Sequence, residues 1–105
     1  EDIQMIREVH DTILNNLDKD LPLLKDLALH MGTNEYKLKY GFKQIYGTTI
    51  FRFLTQERLR KSKTLIQHSN LSLKEIAHMN GFKSAAHFSR AFRDKYGKTP
   101  TALRG

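Results

Sequence analysis

Leu24-Lys25-Asp26-Leu27-Ala28 recurs 49 residues later as Leu73-Lys74-Glu75-Ile76-Ala77, and a glycine, Gly32 or Gly81, follows each copy. The second copy then carries one extra residue, at 82–83, and the match continues at a shift of 50, with Phe42 on Phe92 and Tyr46-Gly47 on Tyr96-Gly97. Self-similarity at a fixed spacing indicates a duplicated supersecondary unit. Each copy contains a short amphipathic segment, a glycine and a longer amphipathic segment, which is typical of a helix-turn-helix.

Polar residues next to the apolar segments predict where the helices begin. Asn34, Thr49 and Ser84 are residue types that favour the N-cap position. Ser72 followed three residues later by Glu75 predicts a capping box at the start of the second short helix. Four glycines, at positions 32, 47, 81 and 97, predict the points where helices end.

Apolar residues recur at helical spacing, and no segment alternates apolar and polar residues long enough to predict a strand. The spacing predicts a first helix over 3–17 and places Leu38, Phe42 and Ile45 on the inner face of the third helix. We therefore predict an all-α fold of about seven helices, in which a long linker helix joins two tandem helix-turn-helix subdomains. The expected boundaries are 1–48 for the first subdomain, 49–67 for the linker helix and 68–105 for the second subdomain.

The composition points to a polyanionic partner. The 105 residues include 18 Lys and Arg against 11 Asp and Glu, a formal net charge of +7, which favours nucleic acid or an anionic membrane surface. The chain has no cysteine, which excludes a disulfide framework and fits a cytoplasmic protein. It has no apolar run long enough to span a membrane. Residues 1–4 do not resemble a signal peptide and the sequence does not begin with methionine, so we expect a piece of a longer protein.

An enzyme is not expected, and neither are a metal or a cofactor. No two histidines have the spacing of a HExxH zinc site, and the glycines are scattered rather than gathered in a phosphate-binding loop. The histidines of the two short helices, His30 and His78, are expected to be exposed or capping. The other three are His10, His68 and His87.

Polar side chains line the outer face of the longer helix in each unit. In the first unit, spacings of three and four residues place Tyr36, Lys39, Tyr40 and Lys43 on one face, here called the first stripe. In the second unit, the matching positions are Ala86, Ser89, Arg90 and Arg93, here called the second stripe, with His87 beside it. Neither stripe contains a carboxylate, although Glu35 and Asp94 lie at the margins. Because a major groove admits one helix, such stripes favour base contacts over an ordinary solvated face.

Contacts to phosphate are expected from helix N-termini and from nearby hydroxyl or basic groups. The linker helix adds further cations, among them Arg58, Arg60, Lys61 and Lys63, of which Arg60 and Lys61 are the candidates for reaching the DNA backbone. The full set of candidate phosphate contacts is Asn34, Lys43, Thr48, Thr49, Arg60, Lys61, Ser84, Ser89, Arg93, Lys98 and Thr99.

The second half contains the sequence elements Ile76-Ala77, Gly81-Phe82, Phe88-Ser89-Arg90-Ala91-Phe92-Arg93, Tyr96-Gly97, Thr99-Pro100 and Arg104. Together they resemble the signature that closes the DNA-binding domain of the AraC/XylS family of transcription regulators. The first half matches through Leu27-Ala28, Gly41-Phe42-Lys43 and Gly47, so the resemblance covers residues 21–104. Three residues depart from the family pattern: Ala86 replaces a common Ser, Leu103 a common aromatic residue and Ser62 a common Ala.

This resemblance implies sequence-specific binding of double-stranded DNA, with the second helix of each unit in one of two successive major grooves. It places the base-reading positions on Tyr36, Lys39, Tyr40, Ala85, Ala86, His87 and Arg90. It also implies RNA polymerase as a partner of the full-length regulator and an upstream effector-sensing or dimerisation domain that these residues do not include. The segments 37–43 and 47–51 are similar to the branch that controls siderophore and iron-uptake genes.

Two other readings remain open from the residues alone. A module for an anionic membrane surface would need a helix with a broad apolar face beside a basic face, and the linker helix comes nearest to this. A protein-interaction domain would leave the two related stripes unexplained. The dependence of affinity on salt separates DNA binding from protein docking.

Overall fold

The computed structural model describes residues 2–105. In this range the chain forms seven α-helices and no β-strand, which confirms the all-α prediction of two helix-turn-helix units and a linker helix. None of the described helices is long and apolar enough to cross a membrane. The helices are α1 (Asp2–Leu14), α2 (Leu24–His30), α3 (Glu35–Tyr46), α4 (Ile50–His68), α5 (Leu73–Met79), α6 (Ala85–Tyr96) and α7 (Pro100–Arg104).

The chain divides into two compact units, and the division falls inside α4. The first unit contains α1, α2, α3 and the start of α4 through Leu54. The second unit contains Thr55–Gly105 and, in addition, the distant segment Leu17–Lys19. The second unit is therefore built from two separate stretches of sequence.

The predicted N-caps are confirmed by their hydrogen bonds. The Asn34 side chain accepts from the backbone amide of Lys37 at 2.9 Å, which begins α3. Ser72 and Glu75 form the capping box of α5, with both hydrogen bonds at 3.0 Å. The Ser72 backbone amide that donates to the Glu75 carboxylate lowers the pKa of this group, and the Ser72 side chain lowers it further.

Two expectations about the first unit are wrong in detail. The predicted first helix ends at Leu14 rather than at residue 17, because Asn16 tightens the last turn. Its amide donates to Ile13 O at 3.1 Å and its side chain donates to Thr12 O at 2.7 Å. Ile45 is 39 % exposed rather than inward, and Tyr46 instead packs against the core, 4.9 Å from Phe42 between ring centroids.

Each unit has its own apolar core centred on the phenylalanine that the repeat aligns. Phe42 and Phe92 are both fully buried, as predicted. In the first unit, α1 lies so close to α3 that a Cβ atom at Gly41 would be 3.0 Å from Cδ1 of Ile6. The core of the second unit consists of Leu59, Ile66, Ile76, Ala77, Phe82, Phe88 and Phe92.

Two arginines in the second unit hold the chain segments that lead into the short helices. Arg58 donates through Nε to Leu17 O at 2.8 Å and through Nη2 to Lys19 O at 2.7 Å. Arg104 donates to the carbonyl oxygens of Ile66 and Ser69, each at 3.3 Å, and to that of Leu71. Leu17 and Ile66 are equivalent in the repeat, so an arginine binds the same carbonyl position in each copy. Such charge-assisted hydrogen bonds are stronger than neutral ones.

The two turn glycines offer a matched stability test. Both have the left-handed backbone, with φ of 77° at Gly32 and 82° at Gly81, so alanine costs about 1–2 kcal/mol at either position. A Cβ atom at Gly32 meets nothing within 4 Å, whereas one at Gly81 would lie 2.6 Å from the guanidinium of Arg58. We expect Gly81→Ala to cost about 1–3 kcal/mol more than Gly32→Ala, because it displaces Arg58 from its two carbonyl acceptors. Urea unfolding of both variants measures this, and equal losses would contradict it.

Candidate nucleic-acid interface

The first stripe lies on the solvent side of α3. All four of its residues are exposed, while Leu38 and Phe42 on the opposite side of the helix are buried. The rings of Tyr36 and Tyr40 stack, with centroids 5.9 Å apart and planes within 9°. The two phenol groups therefore present one continuous aromatic surface along the helix.

A carboxylate at the margin of this surface pairs with one of its cations. Glu35 Oε2 lies 2.9 Å from Lys39 Nζ, and both side chains are about half exposed. The i, i+4 spacing of Glu35 and Lys39 in the sequence is the signal that predicts such a pair. The cation of Lys39 is therefore presented together with an anion, whereas exposed Lys43 makes no ion pair within residues 2–105.

The second stripe is less bulky and carries free guanidinium groups. Ala85, Ala86 and His87 are exposed at the start of α6, and His87 meets the buried Phe82 edge-on at 5.6 Å between ring centroids. Arg90 and Arg93 are exposed and make no ion pair within the part of the chain that the structure describes; Ser89 is half-buried. The guanidinium of Arg90 is thus free to bind two acceptors at once.

A pocket lies beside each stripe at a repeat-related position. The pocket of the first unit has a volume of about 440 Å³ and is lined by the first stripe together with Leu24, Thr49, Ile50 and Phe51. The pocket of the second unit has a volume of about 340 Å³, and small residues such as Ala85, Ala86 and Ser89 form its edge. The two stripes therefore offer different surfaces, one lined by aromatic rings and one by small side chains.

Hydroxyl groups cap the helices that frame both stripes. Thr49 Oγ1 accepts from the Arg52 amide at 3.1 Å at the start of α4, and Ser84 Oγ accepts from the His87 amide at 3.1 Å. Thr99 does the same for α7. A hydroxyl that accepts a backbone hydrogen bond can still donate its own proton, so each cap can bind a phosphate oxygen at a helix N-terminus.

The cations of the linker helix differ in their surroundings. Arg60 pairs with Glu57 at 2.8 Å, whereas Lys61 is exposed. Lys63 lies over the ring of Tyr96, 4.6 Å from its centroid, and burial raises the pKa of this tyrosine. Arg58 donates to backbone carbonyls, as described above, so it is a structural group.

The remaining candidate phosphate contacts are spread over both units. Asn34 is exposed at the start of α3, Thr48 is half-buried before α4, and Lys98 is exposed before α7. Within residues 2–105, no group of three or more His, Cys, Asp or Glu side chains is arranged to hold a metal ion. Each unit thus has its own polar and cationic surface, on the outer side of α3 in the first unit and of α6 in the second, together with the adjacent helix starts.

Comparison with known proteins gives one consistent result. A family model described as a helix-turn-helix domain matches residues 27–105. The chain is 43% identical over 78 residues to the HTH-type transcriptional regulator GlxA of Rhizobium meliloti, a match that covers 74% of this chain and 24% of that protein. The chain therefore spans about a quarter of the length of this curated relative.

Solved structures share the fold over almost the whole chain. A transcriptional regulator of Chromobacterium violaceum, described by its AraC-type DNA-binding domain, has a TM-score of 0.84 and 28% identity and covers 96% of this chain and 89% of its own. The DNA-binding domain of the global transcriptional factor AdpA, solved with a target DNA, has a TM-score of 0.87 at 24% identity, covering 94% of this chain and 88% of its own. The similarity to AdpA is one of fold.

Proposed function

The chain belongs to the AraC/XylS family of helix-turn-helix transcription regulators as a sequence-specific DNA-binding domain, and we propose that α3 and α6 enter successive major grooves of one duplex. One observation carries this proposal: the repeat-related outer faces of α3 and α6 are both exposed and rich in hydrogen-bond donors. A major groove accommodates one helix, whose side chains then reach the base edges.

The two helices are proposed to read bases by different chemistry. In α3, Lys39 donates to guanine, and Tyr36 and Tyr40 contact sugars or thymine methyl groups. In α6, Arg90 donates to guanine and His87 donates or accepts. Ala85 and Ala86 offer only methyl contacts, so α6 reads fewer positions by hydrogen bonds than its length would allow.

Phosphate contacts are proposed to fix the register of each helix. The capping groups Asn34, Thr49, Ser84 and Thr99 lie at helix starts, where backbone amides and a hydroxyl or amide proton favour an anion. Seven other side chains add donors around them: Lys43, Thr48, Arg60, Lys61, Ser89, Arg93 and Lys98.

Enrichment of a random pool of duplex DNA by the purified domain, at about 150 mM salt, tests the proposed function. We expect a motif of two short blocks whose centres lie about one helical turn apart, roughly 10–10.5 base pairs. Binding without an enriched motif would overturn sequence reading by this domain. A motif with only one block would contradict the proposal that both α3 and α6 enter a major groove.

Arg90→Ala tests which group reads guanine in the second block. We expect a loss of about 1–3 kcal/mol on the preferred sequence and relaxed preference at one base pair, because the guanidinium is the free bidentate donor of the second stripe. Arg93→Ala, which removes a proposed phosphate contact one turn further along α6, should weaken binding to all sequences alike. Titration of matched and single-substituted duplexes measures both. A uniform loss for Arg90→Ala would make it a phosphate contact instead.

The longer regulator to which this domain is proposed to belong adds further partners. We infer that it acts in the bacterial cytoplasm, where its DNA is, and that it contacts RNA polymerase there. An effector-sensing or dimerisation domain upstream of these residues would control it. Its assignment to the siderophore and iron-uptake branch stays a prediction, which the regulated genes would test.

A further inference from the structure

The ion pair between Glu35 and Lys39 is the one feature of the first stripe that plain attraction to DNA does not explain. The carboxylate lies on the first turn of α3, which leads into the groove, and 43% of its side chain is exposed. An exposed i, i+4 pair contributes little to stability. A carboxylate facing two phosphate backbones also weakens non-specific binding, since like charges repel. An acidic side chain in the first turn stabilises the helix itself, but on a face that binds DNA its charge is compensated only where a base edge donates a hydrogen bond to it.

The major-groove edge of a G·C base pair has the matching donor and acceptor. Cytosine presents the N4 amino group as a donor, and guanine presents O6 and N7 as acceptors. Within the pair, N4 and O6 are joined by a Watson–Crick hydrogen bond of about 2.9 Å. The Glu35 oxygen and the Lys39 nitrogen are likewise 2.9 Å apart. An intact ion pair can therefore lie on one base pair, with the anion over the donor and the cation over the acceptors.

The same pair fits an A·T base pair poorly. Adenine also offers a donor, N6, but its N7 acceptor lies beside that donor on the same base. A carboxylate over N6 would meet the lone pair of N7, and the lysine would lie over a thymine with one acceptor and a methyl group. In the G·C arrangement, by contrast, both acceptors face the ammonium group. The ion pair therefore discriminates between base pairs in a way that neither charge does alone.

We propose that Glu35 and Lys39 read one G·C base pair together, Glu35 accepting from cytosine N4 and Lys39 donating to guanine O6 and N7. This inference rests on the proposed function and assigns Glu35 as a specificity-determining residue. The repeat confines it to the first unit, because Ala85 and Ser89 stand at the equivalent positions of α6. One invariant G·C column is thus expected in the first block of the motif.

Glu35→Gln gives the sharpest test, with Glu8→Gln on α1 as the control. Both changes remove one negative charge from a glutamate of the first unit; the Glu35 side chain is 43% exposed and Glu8 is exposed. Glutamine pairs with adenine N6 and N7. In the enrichment experiment, Glu35→Gln should therefore favour adenine at the position where the unmodified protein selects cytosine. The affinity for adenine relative to cytosine at this position should rise by about tenfold. Glu8→Gln should leave every column unchanged.

A modified base supplies a second measurement. N4-methylcytosine at this column keeps a hydrogen for pairing but replaces the one that faces the major groove. The modified base should lower the affinity of the unmodified protein for this duplex by about tenfold. The Glu35→Ala variant should bind the modified and the ordinary duplex equally well. If Glu35→Gln tightens binding to all sequences equally, or if the modified base has no effect on the unmodified protein, the inference is overturned. If the unmodified protein enriches no motif, the proposed function fails first, so the two failures are distinguishable.

Discussion

Phe92→Ala is expected to lower the free energy of unfolding of the second unit by about 3–5 kcal/mol. Phe92 is fully buried, and its ring packs between Phe88, at 5.8 Å, and Tyr96, at 4.8 Å between centroids. Removing the ring loses its burial and leaves a cavity that neighbouring helices cannot fill without moving. Because small domains are stable by only about 5–15 kcal/mol in total, such a loss removes a large part of the stability of this unit and raises its unfolded population by about a hundredfold or more.

Amide hydrogen exchange followed by nuclear magnetic resonance measures this loss residue by residue. The control is Phe51→Ala, the same chemical change at a side chain that is 58% exposed, which should cost less than about 1 kcal/mol. Protection in α5 and α6 should fall by about a hundredfold or more in the first variant and persist in the second. A Phe92→Ala protein with unchanged protection there would show that the core of the second unit is assigned wrongly.

Raising the salt concentration from roughly 50 to 200 mM is expected to lower the affinity for DNA by about a thousandfold or more. The proposed interface contains seven Lys or Arg side chains, which together neutralise about six phosphates and release their counterions from the duplex on binding. A plot of the logarithm of affinity against that of salt should be linear and steep. Lys61→Ala should lower the slope by about one unit without changing the preferred sequence. A nearly flat plot would contradict an interface held by these cationic contacts to phosphate.

The features that could be predicted from the sequence depend on contacts within a few residues. The caps Asn34, Ser72 and Ser84 bind amides three residues further along the chain, so their residue types and spacing are sufficient. The repeat also predicts the centre of each core, because equivalent positions such as Phe42 and Phe92 are expected to be buried in both copies. The exposure of the first stripe is also predictable, because its residues lie on the side of α3 opposite the buried face of the helix.

What could not be predicted depends on residues far apart in the sequence. In the sequence, Arg58 is indistinguishable from the other basic side chains of the linker helix. In the structure, its acceptors are backbone carbonyls 41 and 39 residues away. Nothing in the spacing of charges distinguishes such a group from its solvated neighbours. Ile45 had the correct spacing for the core, yet Tyr46 takes the space at the end of α3. Packing at helix ends is decided by such competition and not by periodicity.

The inclusion of Leu17–Lys19 in the second unit also bears on how this chain can evolve. Tandem duplication first yields two interchangeable modules, but Arg58 now depends on the carbonyls of Leu17 and Lys19, which are encoded 41 and 39 codons earlier. A recombination event in the linker that exchanges the first half for that of a relative therefore also replaces part of the second half. The exchange preserves stability only where the loop of the incoming half presents carbonyl oxygens at the positions that Leu17 and Lys19 occupy here. Selection on hybrid regulators should consequently act on a loop to which no base contact is assigned.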